Sequence, residues 1–152
     1  MYTSITVTVG QVLRKKGHSF VTVGPDASAY DALEIMEERN IGALLVVDNG
    51  KLIGVFSERD YARKVILKGR SSKNTHVREI MSSKLVTVSP VTPLRDCMLL
   101  MTEKHVRHLP VIDNGALTGV LSMRDVVNTI ISDQESTIEE LEEYIAGTGY
   151  RA

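Results

Sequence analysis

Apolar and polar residues follow one another in two rhythms, one of period two and one close to 3.6, and the same succession of rhythms occurs twice along the chain. In the first half a short β-type run, Val21-Thr22-Val23, leads through Gly24-Pro25 into apolar positions Ala29, Ala32, Leu33 and Met36, which predict a helix over about 28–39. Two apolar runs follow, Ala43 to Val47 and Leu52 to Phe56. Between them stands Asp48-Asn49-Gly50, where Asn-Gly supplies the positive φ angles of a tight hairpin. A further helix is expected from Ser57, with Tyr61, Val65 and Ile66 as its buried stripe. The second half repeats the series: Val86-Thr87-Val88, a helix over about 93–104 through Leu94, Cys97, Met98 and Met101, then Leu109 to Ile112 and Leu117 to Leu121 around Asp113-Asn114-Gly115. Its last helix is expected from Ser122, with Val126, Val127 and Ile130 inward.

The repetition extends to residue identities. Val21-Thr22-Val23-Gly24-Pro25 matches Val86-Thr87-Val88-Ser89-Pro90, and Gly54-Val55-Phe56-Ser57-Glu58-Arg59-Asp60 matches Gly119-Val120-Leu121-Ser122-Met123-Arg124-Asp125, each at an offset of 65 with no insertion between. The expected fold is therefore α/β: two βαββα repeats, 9–68 and 75–131, related by a pseudo-twofold axis. Packing into one compact module follows because a unit of about sixty residues alone leaves a sheet face bare. The polar, turn-rich stretch from Lys68 to Asn74 is expected as an exposed connector between copies. A short helix at Val77 to Met81 should lead into copy two, and Val9 to Leu13 should play the same part before copy one. A tail helix over 132–147 carries Ile138, Leu141 and Ile145 on one face and glutamates elsewhere, with Gly147 as its stop. Packing on its own domain is the default expectation for it, and a partner-facing role is the alternative.

Composition narrows the function. A chain of 152 residues, 43% apolar, can fill a core. No apolar run reaches the roughly 18 residues that span a bilayer, and Met1-Tyr2-Thr3-Ser4 is not a secretory opening, so a cytoplasmic protein with no membrane partner is expected. The single Cys97 cannot form an internal disulfide, which agrees with a reducing compartment. Lys and Arg number 18 against 19 acids, leaving no field for nucleic acid. From Asp133 onward there are six acids and one base, so residues 1–132 hold 17 bases (18 less 1) against 13 acids (19 less 6), an excess that suits a small anion.

The strongest candidate chemistry is Gly-x-x-Ser-x-x-Asp, present as Gly54, Ser57, Asp60 and again as Gly119, Ser122, Asp125. A serine at a helix N-cap sets its hydroxyl beside unpaired backbone N–H groups, where the helix dipole favours an anion. A carboxylate three residues on can accept from two neighbouring ribose hydroxyls. Glycine at the strand end would let a ligand approach the backbone. The same residues also spell a capping box that binds nothing, and on spacing alone the two readings are evenly balanced. Other features carry less. His105 and His108 lack a second ligand pair, so no metal is expected. The helical phase of Cys97 points it into the core, away from any base. Asp60 and Asp125 are equivalents, whereas acid and base catalysis needs unlike environments, so no enzyme activity is expected.

With the Val-x-Asp-Asn-Gly hairpins, the Thr-Val-x-Pro openings and Leu109-Pro110-Val111-Ile112-Asp113, these motifs resemble the tandem cystathionine-β-synthase (CBS) domain pair, or Bateman module, across about residues 9–131. The resemblance implies a regulatory module that binds AMP, ADP, ATP or a related compound such as NAD or S-adenosylmethionine in clefts between the repeats, with no catalytic cofactor. It also implies a homodimer that acts on a regulated protein partner. Residue by residue, it makes Asp60 and Asp125 the ribose ligands and Ser57 and Ser122 contacts near ribose or phosphate. Thr22 and Thr87 would line the clefts, and Val55, Val120, Ile41 and Val106 would pack on base or sugar, the last two from the strand ahead. Arg59 and Arg124 would reach phosphate in both copies, and Arg107 and His108 only in copy two, where copy one has Gly42-Ala43. Copy one also has Leu45 where copy two has the family's Pro110. An interaction scaffold with empty clefts is the alternative function, and a nucleotide-acting enzyme a more remote one.

Overall fold

A computed structural model describes residues 7–145. The chain runs α1 (Val9–Lys16), β1 (Thr22–Val23), α2 (Ala29–Arg39), β2 (Ala43–Asp48), β3 (Lys51–Ser57), α3 (Glu58–Tyr61) with a π-helical turn at Ala62–Ile66, α4 (Val77–Ile80), α5 (Leu94–Lys104), β4 (His108–Asp113), β5 (Ala116–Ser122) and α6 (Met123–Ile145). It divides into two spatial units: one is Ser19–Val86, and the other joins the segment up to His18 to the segment from Thr87 onward.

In the contiguous unit β1 runs parallel to β2, which pairs antiparallel with β3. Asn49 and Gly50 adopt φ of 50° and 79°, the doubly positive turn that Asn-Gly accommodates, and so the hairpin closes where the sequence places it. Leu44 stands opposite Phe56 and Val46 opposite Gly54. These residues share a core with Val23, Ala29, Ala32, Met36, Val65, Val77 and Ile80. Between the pairs Val46–Gly54 and Val47–Leu52 the partner strand has one residue more, Ile53, a bulge that keeps Gly54 and Phe56 facing inward. Alternation then sends Thr22, Leu45, Val55 and Ser57 to the other face. Ser28 caps α2 by accepting from Asp31 N at 3.0 Å, and Asn40 ends it in the left-handed region at φ 52°.

The other unit repeats this hairpin. Asn114 and Gly115 take φ of 51° and 79°, and Leu109 pairs with Leu121, Pro110 with Val120 and His108 with Ser122. The bulge also recurs, with Thr118 as the extra residue between Val111–Gly119 and Ile112–Leu117. In place of a first strand there is a parallel bridge from Val88 to Val111, with Val88 N donating to Pro110 O at 3.0 Å. Helix α1 completes this unit: Thr8 and Gln11 cap it reciprocally, and Val9 N and Gly10 N donate to Thr92 O and Pro90 O at 2.9 and 2.7 Å.

The spatial grouping thus cuts across the order of the repeats. Helix α1, which precedes copy one, packs with copy two, while α4, which precedes copy two, closes copy one through Val77 N to Ala27 O and Val55 N to Ser82 O. The stretch from Lys68 to Asn74 belongs wholly to the first unit. Tyr30 N donates to Ser72 O, and the Tyr61 and Ser72 hydroxyls lie 2.7 Å apart, so the passage between units falls at Val86–Thr87 instead.

The expectations for the tail helix and for the buried stripes are also revised. With no Gly or Pro between Met123 and Ile145, the helix after Ser122 runs unbroken into the tail, and Gly147 lies outside the described residues. Ile138 and Leu141 are more than half exposed rather than packed on their own unit. Ile66 is exposed because the turn at Ala62–Ile66 is wide, with Leu67 N bonding Ala62 O five residues back; this rotates Ile66 outward while Val65 stays buried. Val127 is exposed beside buried Val126.

Candidate functional site

In each unit the Gly-x-x-Ser-x-x-Asp segment is the strand-to-helix turn. In copy one Ser57 Oγ accepts from Asp60 N at 3.1 Å, and Asp60 Oδ2 accepts from both Ser57 N and Ser57 Oγ at 3.0 Å. In copy two Ser122 Oγ accepts from Asp125 N at 3.1 Å and Asp125 Oδ2 from Ser122 N at 2.8 Å. The capping box therefore forms in both copies. It is built through Oδ2, and Oδ1 takes no part in it. Both carboxylates retain contact with solvent, at 19% and 16% exposure.

The glycines serve a different purpose from ligand approach. A Cβ on Gly54 would lie 2.6 Å from the Met81 sulfur and 2.9 Å from Ser82 O, and one on Gly119 would lie 3.0 Å from Leu13. The space beside each glycine is already filled by the segment that closes the unit, so the absent side chain permits helix-to-strand packing. Leu13 and Met81 are 68 positions apart, which makes Leu13 in α1 and Met81 just after α4 structural equivalents.

Around each cap the sheet brings the other candidates together unevenly. Thr22, Leu45 and Val55 form one cross-strand row on the face away from the core, and Ala43–Ser57 is the end pair on that face. Pro110–Val120 and His108–Ser122 are the corresponding pairs in copy two, with exposed Thr87 one residue before the Val88 bridge. Ile41 and Val106 do not belong to strands: each follows the left-handed residue that ends its helix, Asn40 or His105, and Ile41 packs partly against its own core. Arg59 and Arg124 occupy exposed positions in the first turns of their helices, and Arg107 is exposed with its carbonyl accepting from Met123 N at 2.8 Å. His108, opposite Ser122, is half-buried.

The two sites differ in charge. Copy two has Arg107 and His108 beside its cap, whereas copy one has Gly42 and Ala43, and the Glu58 carboxylate stands over Gly42, 3.1 Å from where a Cβ would be. Two cations that motif reasoning omits also reach the carboxylates. Lys64, one turn on from Asp60, lies 3.5 Å from Asp60 Oδ1 and donates to Ile80 O at 3.2 Å. Lys16, at the end of α1, lies 2.5 Å from Asp125 Oδ2 and donates to Val120 O at 2.9 Å. The i,i+4 spacing of Asp60 and Lys64 is a readable signal, but a pair 109 residues apart is not.

Elsewhere, burial away from water and then the neighbouring Asp96 carboxylate push the Cys97 thiol up to about 11, opposite to what a nucleophile needs. His105 is the left-handed end of α5, and among the described residues no group of three or more His, Cys, Asp or Glu is placed to hold a metal ion. No helix among the described residues is long and apolar enough to cross a membrane.

Known proteins share this architecture and its repetition. The CBS domain family model matches twice, at residues 9–66 and 77–132. The mitochondrial CBS domain-containing protein CBSX3 of Arabidopsis thaliana is 40% identical over 95% of this chain and 74% of its own length. A putative signal-transduction protein with CBS domains from Burkholderia ambifaria superposes with a TM-score of 0.81 at 48% identity, over 84% of this chain and 96% of its own. At 23% identity, the CBS domain pair of protein MJ0100 shares the fold with a TM-score of 0.72 over 81% of this chain and 94% of its own, and it was solved in complex with 5′-methylthioadenosine and S-adenosyl-L-methionine.

Proposed function

The chain belongs to the CBS domain family as a tandem pair, and from that premise we propose that it is a regulatory module that binds an adenine nucleotide and acts on a protein partner rather than catalysing a reaction. The observation that carries this reading is the construction of the two caps. Each holds its aspartate through Oδ2 in the first turn of a helix and keeps the side chain partly exposed, so that Oδ1 can meet a ribose hydroxyl while the cap persists. Thr22 and Val55 share the face on which the copy-one cap stands, and Val120 the corresponding face in copy two. Arg107 and Arg124 supply positive charge for phosphate beside the copy-two cap, where His108 stands opposite Ser122. That the MJ0100 pair holds two adenosine compounds supports the ligand class. The lone, buried Cys97 agrees with a reducing compartment, and we place the protein in the cytoplasm.

A homodimer is part of the same proposal. Val127, Ile131, Ile138 and Leu141 lie within one 80° arc of α6, and all four are exposed. The competing reading, a scaffold that binds no nucleotide, draws on the fact that both carboxylates already have lysine partners. Thermal melts with AMP, ADP, ATP, NAD and S-adenosylmethionine separate the two readings. A ligand at 100 times its dissociation constant stabilises the folded state by about 2.7 kcal/mol, and a flat response to all five leaves the scaffold.

A further inference from the structure

We propose that Lys16 is the residue that makes the copy-two site select phosphorylated adenosine compounds over uncharged ones, an inference that rests on the nucleotide-binding reading above.

The two copies close their carboxylate sites by different means. In copy one the strand residue Val55 is met by backbone: Ser82 N donates to Val55 O at 2.9 Å and Val55 N to Ser82 O at 3.0 Å. In copy two the equivalent carbonyl, Val120 O, is taken at 2.9 Å by the Lys16 ammonium. Helix α1 spans eight residues where α4 spans four, and its extra turn carries Lys16 to this position. The chain is held there on both sides. Gly17 N donates to Leu13 O at 2.7 Å, turning the backbone at φ 107°, and the His18 ring lies 3.4 Å from Thr118 O on β5. Lys84, the equivalent at the offset of 68, is exposed four residues beyond the end of α4.

The ammonium therefore has one fixed acceptor, Val120 O, and one anionic acceptor, Asp125 Oδ2, which already accepts from Ser122 N. A ribose diol that sets one hydroxyl on Asp125 Oδ1 brings the other to Oδ2, where it competes with Lys16 for the carboxylate. An uncharged nucleoside displaces the ammonium without giving it a new anion. A nucleotide replaces the lost partner with its own phosphate, and exposed Arg107 and Arg124, on the segments that flank the Ser122 cap, add to the positive field. The exchange penalises adenosine and spares AMP, which is discrimination by unpaired charge. Lys64 does not do the same for copy one, because it stands one turn on from Asp60 in the same helical segment and meets the other oxygen, Oδ1, at 3.5 Å rather than closing Oδ2 from a separate helix.

Calorimetric titrations of AMP and of adenosine test this on the full chain carrying Asp60→Asn, which weakens the copy-one ribose contact while Ser57 still caps the helix. The expected result is an AMP preference of at least about tenfold in the parent. Lys16→Met should lose about that factor for AMP while binding adenosine as well as or better than the parent, and Lys16→Arg should restore the preference. Lys16→Gln is read in parallel should the Met variant fold poorly. An unchanged ratio of AMP to adenosine affinity in the Met and Gln variants, or equal losses for both ligands, overturns the role of Lys16. The absence of binding of any adenosine compound to the unmutated protein instead overturns the nucleotide reading on which it stands.

Discussion

Gly54 and Met81 approach so closely that a methyl group on the glycine would come within 2.6 Å of the methionine sulfur, and Ser82 O stands at 2.9 Å on the same side. The sulfur can move, but the carbonyl is held by the paired Val55–Ser82 bonds. Gly54→Ala is therefore expected to destabilise the first unit by about 2 kcal/mol, and Gly119→Ala by about 1 or less, since only the flexible end of Leu13 opposes it. Urea unfolding of the two variants checks the order, and a larger loss at Gly119 contradicts it.

At the caps, Asp125→Ala should weaken AMP binding by about tenfold or more, and Asp60→Ala by less, because charge for phosphate gathers around Ser122 whereas Glu58 opposes it at Ser57. Each substitution also removes the carboxylate half of a capping box while the serine cap stays, a loss of about 1 kcal/mol or less, so the melts of the two variants should fall by similar amounts. Calorimetry that ranks Asp60 first contradicts the assignment.

The Cys97 thiol, pushed up to about 11 from an ordinary value of 9.0, keeps in the folded state a proton that the unfolded chain releases at lower pH. Its contribution to stability is complete below about pH 9 and is lost as pH rises toward about 11. Urea midpoints across that range should fall more steeply in the unmutated protein than in Cys97→Ala. Iodoacetamide should label Cys97 only after unfolding. Parallel curves, or rapid labelling of the folded protein, would count against this.

The exposed stripe of α6 gives a fourth expectation. Replacing both Ile138 and Leu141 with Glu should turn a dimer into a monomer by light scattering while leaving AMP binding within about twofold, because these residues stand more than half exposed and several turns along α6 from the Asp125 cap. A monomeric parent protein, or an unchanged dimer, removes α6 as the interface.

What could be read in the sequence was what local chemistry dictates. The two Asn-Gly turns, the helix starting after Ser28 and the strand pairs around each hairpin fall where periodicity and turn residues place them, because each depends on neighbours within a few positions. His105 as a helix end was not legible, since a left-handed histidine has no signal as strong as Gly or Asn. The bulges at Ile53 and Thr118 were equally hidden, because nothing in an apolar run marks the extra residue. At the candidate site, the Ser–Asp spacing showed both the cap and the anion-friendly turn but could not rank them. The role of Gly54 is not legible locally, because the residue that fills the space beside it, Met81, is 27 positions away in sequence (81 less 54). The pairing of Lys16 with Asp125 is hidden for the same reason, on a longer scale.

The pairing of α1 with the second repeat has a consequence for how the protein is made. The ribosome releases α1 ahead of the Ser19–Val86 unit, and the strand that receives Leu13 follows that unit, so this helix must wait through the synthesis of an entire unit before it finds its seat. The unit from Ser19 to Val86 can settle as soon as it clears the exit tunnel, and the amphipathic α1 is left for that interval as the piece a chaperone would hold.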